Sequence, residues 1–149
     1  MDQKISDDYV AGLFDGEGWF SISRAAGHHY GAKRDWAYQL HAAMTLKERV
    51  VLSCLRSRWG GTVVEQKNRS KNHARYFRWQ VTGESAREFA EDIGPKMIIK
   101  KARAGLAVEF QLDKGQKGNK PSSDREYDKQ TKMYEQMKKL NKRGPNVVE

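Results

Sequence analysis

Cysteine is almost absent from this chain, because Cys54 is the single one among 149 residues. One thiol cannot close an internal disulfide, and by itself it cannot hold a zinc ion. The apolar neighbours of Cys54 predict a small buried core residue in a reducing compartment. The polar and acidic first residues do not resemble a signal or transit peptide. We therefore expect a cytoplasmic protein.

Long hydrophobic runs are also missing, since no apolar stretch approaches the roughly 20 residues that span a bilayer. Acidic residues are outnumbered: 28 Lys and Arg stand against 19 Asp and Glu, which gives a formal net charge of +9. This charge favours a polyanionic partner. Nucleic acid is the first candidate and an anionic membrane surface is the second.

The hydrophobic periodicity predicts an α+β domain over residues 1–112. Its elements follow the order helix, two strands, helix, two strands, two helices, which indicates an antiparallel sheet with helices on one face. The last of these helices is predicted from Met97 to Leu112, with Ile98, Leu106 and Phe110 facing inward. The polar segment 113–123 predicts a flexible linker. Residues 124–149 predict a basic helical C-terminal extension.

Two acids separated by a glycine end the first predicted helix, in the segment VAGLFDGEG at residues 10–18. Carboxylates at a helix C-terminus face the negative end of the helix dipole, and a bound cation would compensate this unfavourable placement. Oxygen ligands of this kind suit Mg²⁺. On spacing alone, an acidic turn that is simply solvated explains Asp15 and Glu17 at least as well.

A second stripe of the same helix consists of small residues, Ala11, Gly12 and Gly16. Small side chains allow another helix to approach closely. If a partner packs on this stripe, two acidic helix ends meet near a symmetry axis. The stripe therefore predicts a dimer interface.

The segment VAGLFDGEG resembles the LAGLIDADG motif, with apolar departures at Val10 and Phe14. The resemblance continues in the pattern Leu-x-x-Leu-x-x-x-Trp-Gly-Gly within residues 52–61, and in Gly-Pro at 94–95 followed by Ile-Ile-Lys-Lys at 98–101. It covers about residues 6–110. The motif occurs once, as in the homodimeric members of the LAGLIDADG homing endonuclease family.

The resemblance implies a metal-dependent double-strand cut in DNA at a long target site, with one strand cut by each subunit. The cofactor would be Mg²⁺ or another divalent cation such as Mn²⁺. Glu17 would be the metal ligand and catalytic carboxylate, and the carbonyl of Gly16 would help to hold the ion. Asp15 would mainly support the helix end, with a metal role left open.

Two further active-site positions follow from the same resemblance. Lys100 matches the family's active-site lysine by its distance from the Gly-Pro pair, and Lys101 is the fallback. The family usually has a polar residue at the end of the second strand. Met44 stands at that position here, with Thr45 beside it, and Lys47 is a candidate substitute.

The resemblance also implies a sheet that lies in the DNA major groove with one face toward the bases. Alternation assigns to the core face Phe20, Ile22, Leu40, Val64, Phe77, Trp79 and Val81. It assigns to the base-reading face Ser21, Ser23, Gln39, His41, Glu65, Lys67, Arg78 and Gln80. Phosphate contacts are predicted for Arg24, Lys33, Arg34, Arg69, Lys71 and Arg75.

Two other interpretations remain open. One is a DNA- or RNA-binding protein on the same scaffold that does not cleave, such as a maturase or a regulator. Met44 favours it, whereas the joint presence of Glu17 and Lys100 opposes it. The other is an unrelated basic α+β module that binds RNA, in which the acid-glycine-acid turn has no role. Metal-dependent cleavage separates the enzyme from both.

Overall fold

The fold consists of a four-stranded antiparallel sheet with helices packed on one of its faces, in a computed structural model that describes residues 4–26, 36–66, 75–114 and 124–142. The predicted α+β class is confirmed. In chain order the elements are α1 (Asp7–Glu17), β1 (Gly18–Ala26), β2 (Trp36–Leu46), α2 (Arg49–Trp59), β3 (Thr62–Gln66), β4 (Tyr76–Thr82), α3 (Gly83–Ile93), a 3₁₀ turn (Gly94–Lys96), α4 (Lys101–Lys114) and α5 (Asp124–Leu140). None of the described helices has the length and apolar character that crossing a membrane requires.

The strands are arranged in the order β1-β2-β4-β3. The β1–β2 pair begins at Gly18↔Met44, and β2 and β4 meet at Met44↔Trp79. β3 pairs with β4 from Thr62↔Gln80 onward. Because side chains alternate between the two faces of a sheet, this register decides which residues face the helices and which face outward.

The core is centred on Phe89 of α3. Its ring centroid lies 4.9 Å from those of Phe14 and Trp59 and 5.1 Å from that of Trp79. Phe20 of β1 stacks against Phe14 at 4.9 Å. Rings of this size contribute about 1.5–3 kcal/mol each when they are fully buried. The cluster therefore fixes α1, α2 and β4 relative to α3.

The N-terminal half of α1 is held at several points. Ser6 caps the helix, since its Oγ accepts the N–H of Tyr9 at 3.1 Å. Asp7 and Asp8 in the first turn complement the helix dipole. Arg58 of α2 pairs with Asp7, and Lys96 donates to Asp8 at 3.1 Å. Because the helix is rigid, these contacts also fix the position of its C-terminal end at Glu17.

The predicted face assignment of β3 is wrong by one residue. Val64 is 54% exposed, whereas Val63 packs against the core. Glu65 is paired with Phe77, so it belongs to the helix side of the sheet rather than to the outward face. The strand contains two adjacent valines in five residues. Alternation alone could not decide which of the two faces inward.

The predicted start of the last domain helix is also wrong, because α4 begins at Lys101 and not at Met97. The backbone N–H groups of residues 98–100 donate to the side chain of Asp15 instead. Ile98 is therefore 88% exposed rather than inward-facing. Leu106 and Phe110 are buried, as the helical spacing predicts.

The helix α5 packs against α4 and β1 and shares their core. Met133 and Met137 are buried there, and the hydroxyl groups of Thr131 and Tyr38 are 2.9 Å apart. Just after α5, Asn141 donates from Nδ2 to the carbonyl of Phe20 at 2.7 Å. The C-terminal helix therefore contributes to the same core as the sheet. Cys54, expected in the core, is half-buried on α2.

A candidate active site at the end of helix α1

Glu17 is the last residue of α1, and its side chain is exposed. The chain turns directly into β1 at Gly18. A Cβ atom at Gly18 would lie 2.3 Å from the ring of Phe14, so glycine is required for this close turn. The carboxylate of Glu17 makes no hydrogen bond or ion pair with the part of the chain that the structure describes. It is therefore available to an external ligand.

The carboxylate of Asp15 holds the segment before α4. Oδ2 accepts the N–H groups of Ile98 at 2.7 Å and Ile99 at 3.2 Å, and Oδ1 accepts that of Lys100 at 3.0 Å. Burial by itself raises the pKa of Asp15, but these three donors outweigh it and hold the pKa below the ordinary value of 3.8. Asp15 thus joins α1 to the start of α4.

Lys100 is 8% exposed, and its ammonium group donates to the backbone carbonyl of Asp15. Burial, and next the charge of Arg103, lower the pKa of Lys100, while the carboxylates of Asp15 and Glu17 act in the opposite direction. The fold therefore brings Lys100 and Glu17 together from residues 83 apart in sequence. Lys101, the fallback, lines a separate cavity beside Ala90 and Gly94.

The end of β2 lies across from this helix end. Met44 is fully buried among the helices. Thr45 is half-buried on the opposite face of the sheet. Met44 pairs with Gly18, the residue that follows Glu17, so the end of β2 lies beside the junction of α1 and β1. The ammonium group of Lys47 lies 5.6 Å from the ring centroid of Tyr76. The polar side chain at this end of β2 is therefore Thr45.

The donor atoms here suit a divalent cation only in part. Glu17 offers a carboxylate, and the last carbonyls of α1, including that of Gly16, have no amide partner within the helix. Within the described ranges, no three His, Cys, Asp or Glu side chains group closely enough to hold a metal ion. If a divalent cation binds here, one chain supplies part of its ligand set, and a second chain or phosphate oxygens would complete it.

The face of α1 that carries Tyr9, Gly12 and Gly16 is turned away from the core, whereas Leu13 beside it is partly buried against the core. Tyr9 is 52% exposed, and a methyl group built on Gly12 or Gly16 meets no atom within 4 Å. Ala11 was predicted for this face, but it is 1% exposed. It lies on the core side of the helix together with Phe14, so a partner cannot contact it.

The outward face of the sheet carries most of the predicted base-reading residues. The register places on it Ser21, Ser23, Gln39, His41, Arg78 and Gln80. Arg24 is exposed and is paired with Tyr38, and its guanidinium lies 5.1 Å over the ring of Tyr134; its phosphate contact stays a prediction. Arg75 pairs with Glu65 at 3.4 Å. Four predicted sites, Lys33, Arg34, Lys67 and Arg69, lie outside the described residues, as does Lys71.

Trp19 also lies on this face, although it is not among the predicted base-reading residues. The guanidinium of Arg78 lies 4.9 Å from its ring centroid, so the two side chains stack across β2. The signal was present, because Trp19 shares the alternation of Ser21 and Ser23. The tryptophan holds Arg78 on the outward face.

Comparisons with known proteins give matches among solved structures, whereas no protein-family model and no curated protein matches the chain. The chain is similar to the homing endonuclease I-CvuI in complex with its target, at 14% identity and a TM-score of 0.73, over 95% of this chain and 85% of that one. It is similar to an archaeal intron-encoded homing endonuclease, I-Vdi141I complexed with DNA, at 19% identity and a TM-score of 0.72, over 96% of this chain and 88% of that one.

A third structure is the LAGLIDADG homing endonuclease I-SmaMI bound to cleaved DNA, at 19% identity and a TM-score of 0.66. This match covers 89% of the present chain and 43% of that chain, so the present chain spans less than half of I-SmaMI. The three matches share the overall fold of this chain at TM-scores of 0.66 to 0.73. The chain therefore has the fold of the LAGLIDADG homing endonucleases.

Proposed function

We propose that this protein is a homing endonuclease that cuts both strands of DNA at a long, specific target site. It acts as a homodimer with Mg²⁺ or another divalent cation such as Mn²⁺. The observation that carries the proposal is the electrostatic influence of exposed Glu17 on buried Lys100, at the end of a helix whose outward face contains two glycines; the Glu17 carboxylate has no hydrogen-bond or ion-pair partner among the described residues. Structures of similar fold hold DNA, in some cases with Ca²⁺ or Mg²⁺.

The glycines of α1 support the dimer. A glycine inside a helix costs about 1 kcal/mol relative to alanine. Nothing within the described chain requires Gly12 or Gly16 to lack a side chain. Close approach of the same helix from a second copy would explain why both positions lack a side chain. A two-fold axis at this face would bring two Glu17 side chains together. Exposed Ile98 and Ile99, held beside α1 by Asp15, would add apolar surface to the interface.

Each active-site residue has a distinct task in this proposal. A divalent cation, when bound, supplies Lewis-acid stabilisation of the charge that develops at the phosphate. Glu17 from each chain would hold it. Lys100 presents its ammonium group to the same negative charge, and Asp15 keeps that ammonium in place. The hydroxyl of Thr45 offers a hydrogen bond to water on the side of the sheet that faces DNA.

Cleavage is the direct test. The wild-type chain, Glu17→Gln and the matched control Glu88→Gln are incubated with Mg²⁺ and a DNA library that includes the uninterrupted form of the gene's own locus. Glu88 is an exposed carboxylate on α3, away from the site. We expect one double-strand cut from the wild type and the control, and specific binding without a cut from Glu17→Gln. Equal cutting by all three would exclude Glu17 as the catalytic carboxylate.

The second candidate is a nucleic-acid-binding protein on this scaffold that does not cleave, such as a maturase or a regulator. It is favoured by the burial of Met44 at the position where the family usually has a polar residue. Thr45 opposes it, because this half-buried polar residue lies on the outward face at the end of β2, beside the junction of α1 and β1. Specific binding to a site without a cut from the wild-type chain would establish this alternative.

A further inference from the structure

Three polar side chains form a hydrogen-bonded row across β1, β2 and β4 on the outward face of the sheet. Ser23 Oγ lies 2.7 Å from Nε2 of His41, and Nε2 of Gln80 lies 2.9 Å from Nδ1 of the same ring. A neutral imidazole has one donor and one acceptor nitrogen. Both nitrogens of His41 are therefore engaged within the protein, and neither is left for a base.

The direction of these bonds follows from the donor inventory. The amide of Gln80 donates an N–H to Nδ1, so Nδ1 is the acceptor nitrogen. The proton of the neutral ring is then on Nε2, which donates to Ser23 Oγ. Gln80 keeps its Oε1 and its second N–H. When the N–H trans to Oε1 donates to His41, the planar amide holds Oε1 and the second N–H side by side, as recognition of one base requires.

The surroundings of His41 favour the neutral ring. Burial lowers the pKa of His41 below its ordinary value of 6.5, and the charges of Arg78 on β4 and Lys114 at the end of α4 lower it further. From β1 the ring is faced by the uncharged hydroxyl groups of Ser21 and Ser23. No carboxylate among the described residues counteracts these effects. At neutral pH the row therefore contains neutral His41.

We propose that His41 is a positioning residue that decides which base Gln80 recognises, selecting adenine when the ring is neutral and guanine when it is protonated. The inference rests on the proposed DNA-binding function. With the neutral ring, Gln80 presents one acceptor and one donor. Adenine offers the complementary pair in the major groove, N6–H as donor and N7 as acceptor.

Protonation reverses this arrangement. When Nδ1 takes a proton from solvent, both ring nitrogens become donors. The Nδ1–H group then needs an acceptor, so the amide of Gln80 turns by half a rotation and offers Oε1 to His41. Its N–H groups now face the groove, where the O6 and N7 atoms of guanine are both acceptors. Ser23 accepts from Nε2–H in both states, so its contact is unchanged.

The first test uses the free protein. Nitrogen-15 NMR of the imidazole rings distinguishes the two neutral tautomers, and the His41 signals are identified by their loss in His41→Asn. We expect a proton on Nε2 and an unprotonated Nδ1 at neutral pH. A proton on Nδ1 would overturn the proposal, because Gln80 would then already offer its oxygen to the ring. This result does not depend on DNA binding.

The second test measures base preference in competition binding with the full chain in Ca²⁺. Target variants place adenine or guanine at each position, at neutral pH and at a pH one unit below the measured pKa of His41. We expect one base pair per half-site at which a preference for adenine of about 10-fold or more reverses on acidification. His41→Leu and Gln80→Ala lose this preference at both pH values, whereas the control Glu88→Gln, an exposed residue of α3, retains the pH-dependent reversal.

Two results would overturn the proposal in this second test. One is an unchanged preference in His41→Leu, and the other is a pH-dependent reversal that persists in His41→Leu. If the wild-type chain binds no specific DNA at all, the proposed function fails together with the base preference. The NMR experiment then still reports whether the hydrogen-bonded row exists, so the two failures are distinguishable.

Discussion

Substitution of Gly12 provides a sharp test of how α1 is used. In the isolated chain, a methyl group at Gly12 meets no atom within 4 Å, so alanine is accommodated without strain. Replacing a glycine inside a helix by alanine stabilises the helix by about 1 kcal/mol. We therefore expect Gly12→Ala to raise the Tm of the unassociated chain by about 3 °C. Leucine, also a strong helix former, is tolerated there for the same reason.

The effect on the dimer has the opposite sign. If two copies pack through α1, a leucine at Gly12 overfills the closest point of approach. Overpacking of this kind costs about 1–3 kcal/mol, which weakens dimerisation about 5- to 150-fold. DNA cleavage by Gly12→Leu should fall together with dimerisation, because in the proposed dimer each active site depends on the other chain to complete its ligand set.

The assay combines sedimentation equilibrium with thermal unfolding at several protein concentrations and with DNA cleavage. Gly105→Leu is the matched control. Gly105 is also an exposed glycine inside a helix, and a methyl group there likewise meets no atom within 4 Å. We expect the control to dimerise and cut as the wild type does. If Gly12→Leu also retains wild-type dimerisation and cleavage, no partner approaches this face of α1 and the reasoning is refuted.

Three further predictions concern the charged groups of the site and of the outward face. Lys100→Met should lower the single-turnover cleavage rate on the order of 10²- to 10³-fold, with DNA binding retained; an unchanged rate would contradict its role. Asp15→Asn should lower the free energy of unfolding by about 2 kcal/mol, because three backbone donors lose an ionised acceptor. The folded-state pKa of Asp15 lies below 3.8, so this stabilisation is complete above pH 3.8 and is lost as the pH falls through the folded value. Urea denaturation of the wild type and of Asp15→Asn at neutral and acidic pH measures both effects. A difference between their free energies of unfolding that grows on acidification would contradict them. Arg78→Gln should raise the pKa of His41 in an NMR titration, because one of the two nearby cations is removed; an unchanged pKa would exclude that influence.

Much of the fold could be predicted because the local signals were consistent. The helical spacing of Leu106 and Phe110 and the alternation of Phe20 and Ile22 each have one interpretation, and the structure agrees with it. In β3 the local signal is ambiguous, since two adjacent valines fit either face. Its register is decided by β4, where Trp79 is fixed by contacts in the core.

The remaining errors arise from contacts that are distant in sequence. The pattern through Ile98 is compatible with a helix, but the carboxylate of Asp15 takes up the backbone N–H groups before α4 can begin. Arg24 has the alternation of a core-facing residue. The structure gives it an aromatic partner, Tyr134 of α5, which the sequence did not indicate, while its predicted phosphate contact stays a prediction. Neither partner is adjacent in the chain, so local patterns could not identify them.

The bond from Asn141 to Phe20 has a consequence for solubility. β1 is an edge strand, and the carbonyl groups that point away from β2 are the groups through which foreign strands add to a sheet. The amide just after α5 occupies one of them. The opposite edge, β3, has five residues and offers little length for pairing. A chain that ends before Asn141 would therefore leave this carbonyl of β1 open to pairing with a foreign strand. Its aggregates should show the spacing of about 4.7 Å of paired strands.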